Sequence, residues 1–133
     1  MEHALRAALI DWLRAAPAPL DALNMVAEEA PLRASPPWLG IAASASADWS
    51  TKDRAGREIR LALELHTRGD DAAADGALVA AIDRRVEDLP PVQAAATPAF
   101  IVVSTRFLRA RAERRADNRR SVLAEYRFRC LAT

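Results

Sequence analysis

The sequence predicts an α+β fold, in which a four-stranded and mainly antiparallel sheet carries two helices on one face. Two observations lead to this class. Apolar residues recur with the period of a helix in two segments, and they alternate with polar residues, as in a strand, in others. The predicted order along the chain is helix, strand, strand, helix, strand, strand. Placing both helices on the apolar face of the sheet is the simplest arrangement that buries every apolar stripe.

The first predicted helix covers residues 2–16 and ends before Pro17, because proline cannot continue the backbone hydrogen-bond ladder. The proline-rich stretch 20–37 follows, and within it residues 24–27 are a candidate for a brief edge strand. The helix has one apolar stripe, formed by Leu5, Ala8, Leu9, Trp12 and Leu13.

Two strands are predicted in the middle of the chain. Residues 38–47, WLGIAASASA, form an apolar run of mostly small residues that leads into the polar loop 48–56. The next strand alternates between two faces, so it is predicted to be a half-buried antiparallel strand. Its apolar face is Ile59, Leu61, Leu63 and Leu65, and its polar face is Glu58, Arg60, Glu64 and His66.

The second predicted helix follows the turn 68–71 and ends before Pro90. Asp70 stands at the position expected for the N-cap. The tripeptide Arg-Gly-Asp at 68–70 is also a cell-adhesion motif, but three-letter matches arise often by chance, so the capping role is favoured. The apolar stripe of this helix is Leu78, Ile82, Val86 and Leu89.

The last third of the chain predicts two strands, residues 100–112 and 119–131, joined by a polar turn at 114–118. In the first of these strands the apolar phase changes, which indicates a bulge or bend near Thr105 and Arg106. The second strand has an apolar face formed by Val122, Ala124, Tyr126, Phe128 and Cys130.

Length and composition favour one domain that spans residues 1–133. The one cysteine, Cys130, excludes an intramolecular disulfide and is consistent with a reducing cytosol. We expect neither secretion nor membrane insertion, because no basic segment precedes an apolar stretch and no apolar run approaches the roughly 18 residues of a membrane span.

The residue pattern offers no catalytic, cofactor-binding or metal site, so we expect a protein that is not an enzyme. His3 and His66 are not at metal-ligand spacing from each other or from Cys130. The four glycines are scattered and form no phosphate-binding loop. Cys130 lies on an apolar strand face, where a buried, inert thiol is expected.

Charge is unevenly distributed along the chain. Residues 1–105 carry 10 basic and 15 acidic groups, a net charge of −5, whereas residues 106–133 carry 9 basic and 3 acidic groups, a net charge of +6. This arginine-rich hairpin could bind nucleic-acid phosphates. The interruption by Glu113, Asp117 and Glu125 favours a subunit interface or a solvated edge instead.

The layout resembles the tail completion family of long-tailed phages, which also occurs in prophages and gene transfer agents. The resemblance covers nearly the whole chain: the opening helix HALRAALIDWLRA, the words WLGI and DWSTKDRAGREIRLALELHTR, and the closing FLRARAERRADNRRSVLAEYRFRCLAT. Its most specific part runs from Asp48 to Lys52 and on to Gly56 and Glu58. The stretch 20–37 departs from the family pattern, in which an early strand is more distinct.

This resemblance implies a structural assembly protein without a cofactor, assembled in the bacterial cytoplasm and then carried at the head-proximal end of a particle tail. It implies a ring, of six copies in the family, that ends the tail tube and joins it to a head-side connector. The partners would be the major tail tube protein and that connector. A different connector component is the alternative within assembly. The candidate interface residues are Trp49, Lys52 and Arg54 in the loop, and Arg109, Arg111, Arg127 and Arg129 on the last two strands. Trp49 is either an interface anchor or a cover for the sheet end.

Overall fold

Six strands and two helices make up the fold in the computed structural model, which describes residues 1–29 and 33–133. The proline-rich stretch 20–37 therefore lies partly outside the described residues. The elements are α1 (Glu2–Arg14), a 3₁₀ turn (Leu20–Ala22), β1 (Met25–Ala27), β2 (Trp38–Asp48), β3 (Gly56–Arg68), α2 (Ala72–Glu87), β4 (Val92–Gln93), β5 (Phe100–Arg114) and β6 (Arg119–Ala132).

The strands form one sheet in the order β1-β2-β3-β6-β5-β4, curved into a half-barrel. Every pairing is antiparallel except that of β1 with β2. The α+β class and the mainly antiparallel sheet are confirmed, but the prediction of four strands is wrong. The two added strands are the short edges. β1 is the brief edge strand suggested within residues 24–27, and β4 has two residues, too few to show any periodicity.

The core lies between the helices and one face of the sheet, as the apolar stripes predict. The alternation in β3 is confirmed, since Ile59, Leu61, Leu63 and Leu65 are almost fully buried. The same cluster contains Leu5, Leu9 and Leu13 from α1, Ile82 and Val86 from α2, and Tyr126, Phe128 and Cys130 from β6.

Two local predictions need correction. The side chain of Asp71, not Asp70, caps α2, because its Oδ1 accepts hydrogen bonds from the backbone N–H groups of Ala73 at 2.9 Å and Ala74 at 3.4 Å. Gly69, with φ +123°, turns the chain so that the second aspartate reaches the cap position.

The break in β5 is also placed differently. Instead of one bulge near Thr105 and Arg106, the register with β6 shifts twice, between Val102 and Ser104 and again between Phe107 and Arg109. The change in the apolar alternation near Thr105 and Arg106 falls between these two shifts. The sequence pattern therefore indicates one irregularity where the structure has two.

Candidate assembly interface

The sheet face opposite the helices is the main candidate surface, and we call it the arginine face. No described helix packs on it, because both helices join the core on the other side. Successive residues of a strand point to opposite faces of the sheet, so the polar residues of β3, β6 and β5 that alternate with apolar ones all lie on this face. It is formed by Glu58, Arg60, Glu64, Arg106, Arg109, Arg111, Glu125, Arg127 and Arg129.

Three arginines lie side by side across the middle of the arginine face. Arg60 pairs in register with Arg127, and Arg127 pairs with Arg106. Like charges directly opposite each other on a sheet destabilise it unless an opposite charge intervenes. The row therefore depends on nearby carboxylates.

Glu58 is a carboxylate that lies close to two arginines of this row, Arg60 and Arg127, and also to Arg129. Its oxygens lie 3.6 Å from Arg60 Nη2, 3.9 Å from Arg127 Nε and 3.8 Å from Arg129 Nε. One negative charge is thus shared by three guanidinium groups. The Nε atoms of Arg127 and Arg129 are buried and donate no hydrogen bond to any described residue. The face keeps a surplus of positive charge and unused donor capacity.

The four predicted interface arginines of the hairpin differ in how far they reach into solvent. The side chains of Arg109 and Arg111 are 77% and 72% exposed, although Arg109 Nε lies 3.1 Å from Glu125. Those of Arg127 and Arg129 are only 18% and 35% exposed. Arg111 Nη2 likewise lies 3.1 Å from Glu113. Arg109 and Arg111 are therefore paired but extend far enough into solvent to contact a partner, while Arg127 and Arg129 are held against the sheet.

The loop that carries Trp49, Lys52 and Arg54 closes over one end of the arginine face. The N–H of Trp49 donates to Gly56 O at 3.0 Å, and Ser50 Oγ accepts from Gly56 N at 3.0 Å. A Cβ on Gly56 would lie 2.4 Å from Trp49 O, so the close approach requires glycine there. Lys52 and Arg54 are exposed at the loop tip.

Trp49 is partly buried, and the guanidinium of Arg129 lies 5.6 Å from its ring centroid, within cation–π range. This contact joins the loop to the arginine face. The partly exposed ring leaves both predicted roles of Trp49 open, as an interface anchor or as a cover for the sheet end.

A second basic site lies at the other end of the sheet. A cleft of about 490 Å³ is lined by Arg33, Arg115, Arg119 and Arg120 together with Trp38 and His66. Arg120 is engaged by Asp75 at 2.7 Å. The His66 ring stacks on Trp38 with centroids 4.0 Å apart, and its Nε2 lies 2.6 Å from Glu64.

The remaining reactive side chains are poorly placed for chemistry. Burial lowers the pKa of His66, although Glu64 opposes the shift, and burial raises the pKa of the Cys130 thiol to about 12. A thiol of that pKa is a weak nucleophile at neutral pH. Among residues 1–29 and 33–133 no group of three or more His, Cys, Asp or Glu side chains could hold a metal ion. In the same ranges no helix is long and apolar enough to cross a membrane.

The sequence matches the model of the family described as "Tail completion protein gp17" over residues 7–131. The chain belongs to this family. Tail completion proteins are structural proteins of phage tails, so the resemblance drawn from the sequence motifs is confirmed.

This tail completion protein is similar to a solved chain in the structure "Virion of native gene transfer agent (GTA) particle". The two are 26% identical, with a TM-score of 0.76, over 98% of this chain and 96% of that chain. A second solved structure is 17% identical over 100% of this chain and 96% of that chain, and its TM-score of 0.48 is too low to support an argument. No curated protein matches the sequence.

All seven predicted interface residues of the tail completion protein fall within the matched range. The structure brings Trp49 and Arg129 together and places Arg109, Arg111 and Arg127 on the same face, whereas Lys52 and Arg54 stay apart at the loop tip. The predicted interface residues did not include Glu58, Arg60 and Arg106, which also belong to the arginine face. Alternation assigned Glu58 and Arg60 to the polar face of β3, but their pairing with β6 depends on a register that the local sequence does not reveal.

Proposed function

We propose that this tail completion protein forms a closed ring at the head-proximal end of a tail tube, where it ends tube growth and joins the tube to a head-side connector. Ring closure from identical copies requires a head-to-tail contact between two different surfaces of the chain. The family suggests six copies. The neighbours would be the major tail tube protein on one side and the connector on the other.

The observation that carries this proposal is the arginine face, an exposed sheet face with more positive than negative charge in a chain whose remaining part is acidic. Such a distribution is complementary between identical copies. The similar chain from a gene transfer agent virion supports a place in a particle. Rim charges of this kind orient partners and raise association rates more than they raise affinity.

The first prediction tests this surface by charge reversal. Arg109→Glu combined with Arg111→Glu changes the two most exposed of the predicted interface arginines. Their ion pairs with Glu125 and Glu113 are exposed and therefore weak, so the monomer should keep its melting temperature within a few degrees. Ring formation or tube capping should be impaired, which gives tails of uncontrolled length or tails without heads. Particle yield, electron microscopy of tails and light scattering of the purified protein measure the outcome.

The pair Arg14→Glu and Arg84→Glu is the control, because it changes net charge by the same amount on the helical side. Arg14 also donates a hydrogen bond to Val26 O at 2.8 Å, so the melting temperature of this control is measured as well. Arg127→Glu with Arg129→Glu is a stronger form of the test, but it also places new carboxylates beside Glu58, so its folding must be checked first. Normal rings and normal particle yield from both arginine-face doubles would remove the face from the assembly mechanism.

The alternative function is binding of nucleic acid, and the cleft of Arg33, Arg115, Arg119 and Arg120 is the observation that favours it. Neutralising phosphates with arginines releases counterions, so affinity for a DNA duplex would fall steeply between about 50 and 200 mM salt. Tube capping without measurable duplex binding supports the structural role, and tight salt-sensitive binding without capping supports the alternative.

A further inference from the structure

The sheet has two open edges, and they differ in chemistry. β1 covers only the Trp38–Gly40 part of β2, and β4 covers only Phe100 and Ile101 of β5. On those sides, residues 41–48 of β2 and 102–114 of β5 pair with no described strand. Open backbone N–H and C=O groups are templates for pairing with another strand.

The arginines of the β5 edge discourage pairing with a second β5 edge or with any other basic strand, whereas the β2 edge has few such features. Residues 102–114 include four arginines, and two register shifts distort the strand. Residues 41–47 are isoleucine, alanine and serine without a charge or a proline, and most of them are exposed. One register shift lies near the start of this edge, between Ile41 and Ala43. An edge this flat and uncharged invites a further strand.

We propose that residues 41–48 of β2 pair with the β5 edge of a second copy, so that the sheet continues from subunit to subunit. This inference rests on the proposed ring and specifies which strands of two neighbouring subunits are in contact. Within one chain β2, β3, β6 and β5 alternate in direction, so β2 and β5 run opposite ways. A neighbour placed head to tail therefore presents β5 to β2 as an antiparallel partner.

The positions of β1 and β4 determine the offset between the two copies. Through the paired strands, Trp38 is level with Glu113, and Asp48 is level with Val102. β1 and β4 therefore lie at opposite ends of the sheet. If two copies docked without a shift along the strand direction, β1 of one copy and β4 of the other would both lie between the β2 and β5 strands that are to pair. This overlap is avoided if one copy is shifted along the strand direction until its β1 lies beyond Arg114 of the other copy. Residues 41–48 of the shifted copy then lie opposite residues 107–114 of the other copy.

Side chains favour the same pair of edges. Within residues 41–48 the one charge is that of Asp48, and Glu28, Glu29 and Arg6 line the same pocket as residues 41–44. Residues 107–114 carry Arg109, Arg111 and Arg114 against Glu113. Ala43, Ala45 and Ala47 share the arginine face, since they pair with Ala62, Arg60 and Glu58. Their small side chains leave room for the alkyl stems of incoming arginines.

Ala45→Lys tests the edge, because a lysine on an open edge blocks strand addition. The new charge lies opposite Arg60, so the melting temperature of the variant is measured first to establish that the monomer still folds. Ala77→Lys on the exposed surface of α2 is the matched control. We expect Ala45→Lys to lower the ring fraction at least tenfold in light scattering while the control forms rings normally. Rings that form normally with Ala45→Lys would overturn the edge pairing and leave the proposed function standing.

Cross-linking identifies the partner strand. Ala45→Cys and Arg111→Cys lie on the same face, and the buried Cys130 thiol should not compete. Oxidising a mixture of the two variants should give a disulfide between them, and either variant alone should give little. Cross-linking of Ala45→Cys to itself would contradict the proposal, since β2 would then pair with β2. A native chain that stays monomeric and caps no tubes would instead refute the proposed function.

Discussion

At the scale of single residues, the buried hydroxyl and thiol of β6 make the fold sensitive to alkali. Burial and a hydrogen bond donated to Asp83 raise the pKa of Tyr126 above its ordinary value of 10.0, and burial raises that of Cys130 from 9.0 to about 12. Both groups bind their protons more tightly in the folded state. Their stabilising effect is therefore complete below the unfolded pKa values of 9.0 and 10.0 and is lost progressively as pH rises from these values toward the folded ones.

The second prediction is that the free energy of unfolding falls by on the order of 3 kcal/mol between pH 8 and pH 11. The chain has one tyrosine, one cysteine and one lysine, so few other groups titrate in this range. Urea unfolding at each pH measures the loss. In Tyr126→Phe the loss above pH 10 should become smaller, because only the contribution of Cys130 remains there, and an unchanged pH profile in this variant would contradict the assignment.

The residue scale also shows where sequence reasoning reaches its limit. Alternation was sufficient to place Arg109, Arg111, Arg127 and Arg129 on a polar strand face. It could not show that Arg127 and Arg129 are drawn onto Glu58 while the other two extend into solvent, because Glu58 and Arg129 are neighbours only through the pairing of β3 with β6. Exposure depends on that long-range register.

At the scale of elements, the start of α2 depends on a single side chain. Asp71 accepts two backbone hydrogen bonds at the helix N-terminus, whereas its neighbour Asp70 makes no described cap contact. The sequence predicted the capping aspartate one position too early, because either residue of an Asp-Asp pair fits the composition rule and the positive φ of Gly69 decides between them.

The third prediction compares these two residues. Asp71→Ala should destabilise the protein by about 1 kcal/mol, since it leaves N-terminal N–H groups of the helix without their partner. Asp70→Ala should change the free energy of unfolding by less than about 0.5 kcal/mol, as for most surface substitutions. Denaturant midpoints of the two variants measure the difference. Equal effects, or a larger effect at Asp70, would contradict the cap assignment.

At the scale of the whole molecule, the apolar stripes predicted which elements share a core, but not the full width of the sheet. Long periodic segments such as β3 carry a strong signal, and the two helices and four long strands were all foreseen. β4 is formed by Val92 and Gln93, whose side chains are exposed or partly exposed, and its pairing with β5 comes from tertiary structure. The open β2 edge is visible only once the short length of β1 is known.

The fourth prediction follows from the shared core. Leu63 is 1% exposed beneath the helices, so Leu63→Ala should cost about 2–5 kcal/mol, a large part of the stability of a small protein. Tryptophan fluorescence and far-ultraviolet circular dichroism should report one coincident shift of the unfolding transition. Val103→Ala, at a residue that is 51% exposed, is the control and should shift it little. An unchanged midpoint in Leu63→Ala would refute the buried assignment.

The position of β6 between β3 and β5 has a consequence for synthesis in the cell. β3 pairs with β6 from Gly56 opposite Leu131 to Arg68 opposite Arg119, so the middle of the sheet joins segments far apart in sequence. A ribosome makes β6 after every other described element. Until then β3 has only β2 beside it, and the apolar side chains that Tyr126 and Phe128 later cover stay open to solvent. The sheet can therefore close only once β6 has been made, and the chain that still lacks β6 is the form that most needs protection from aggregation.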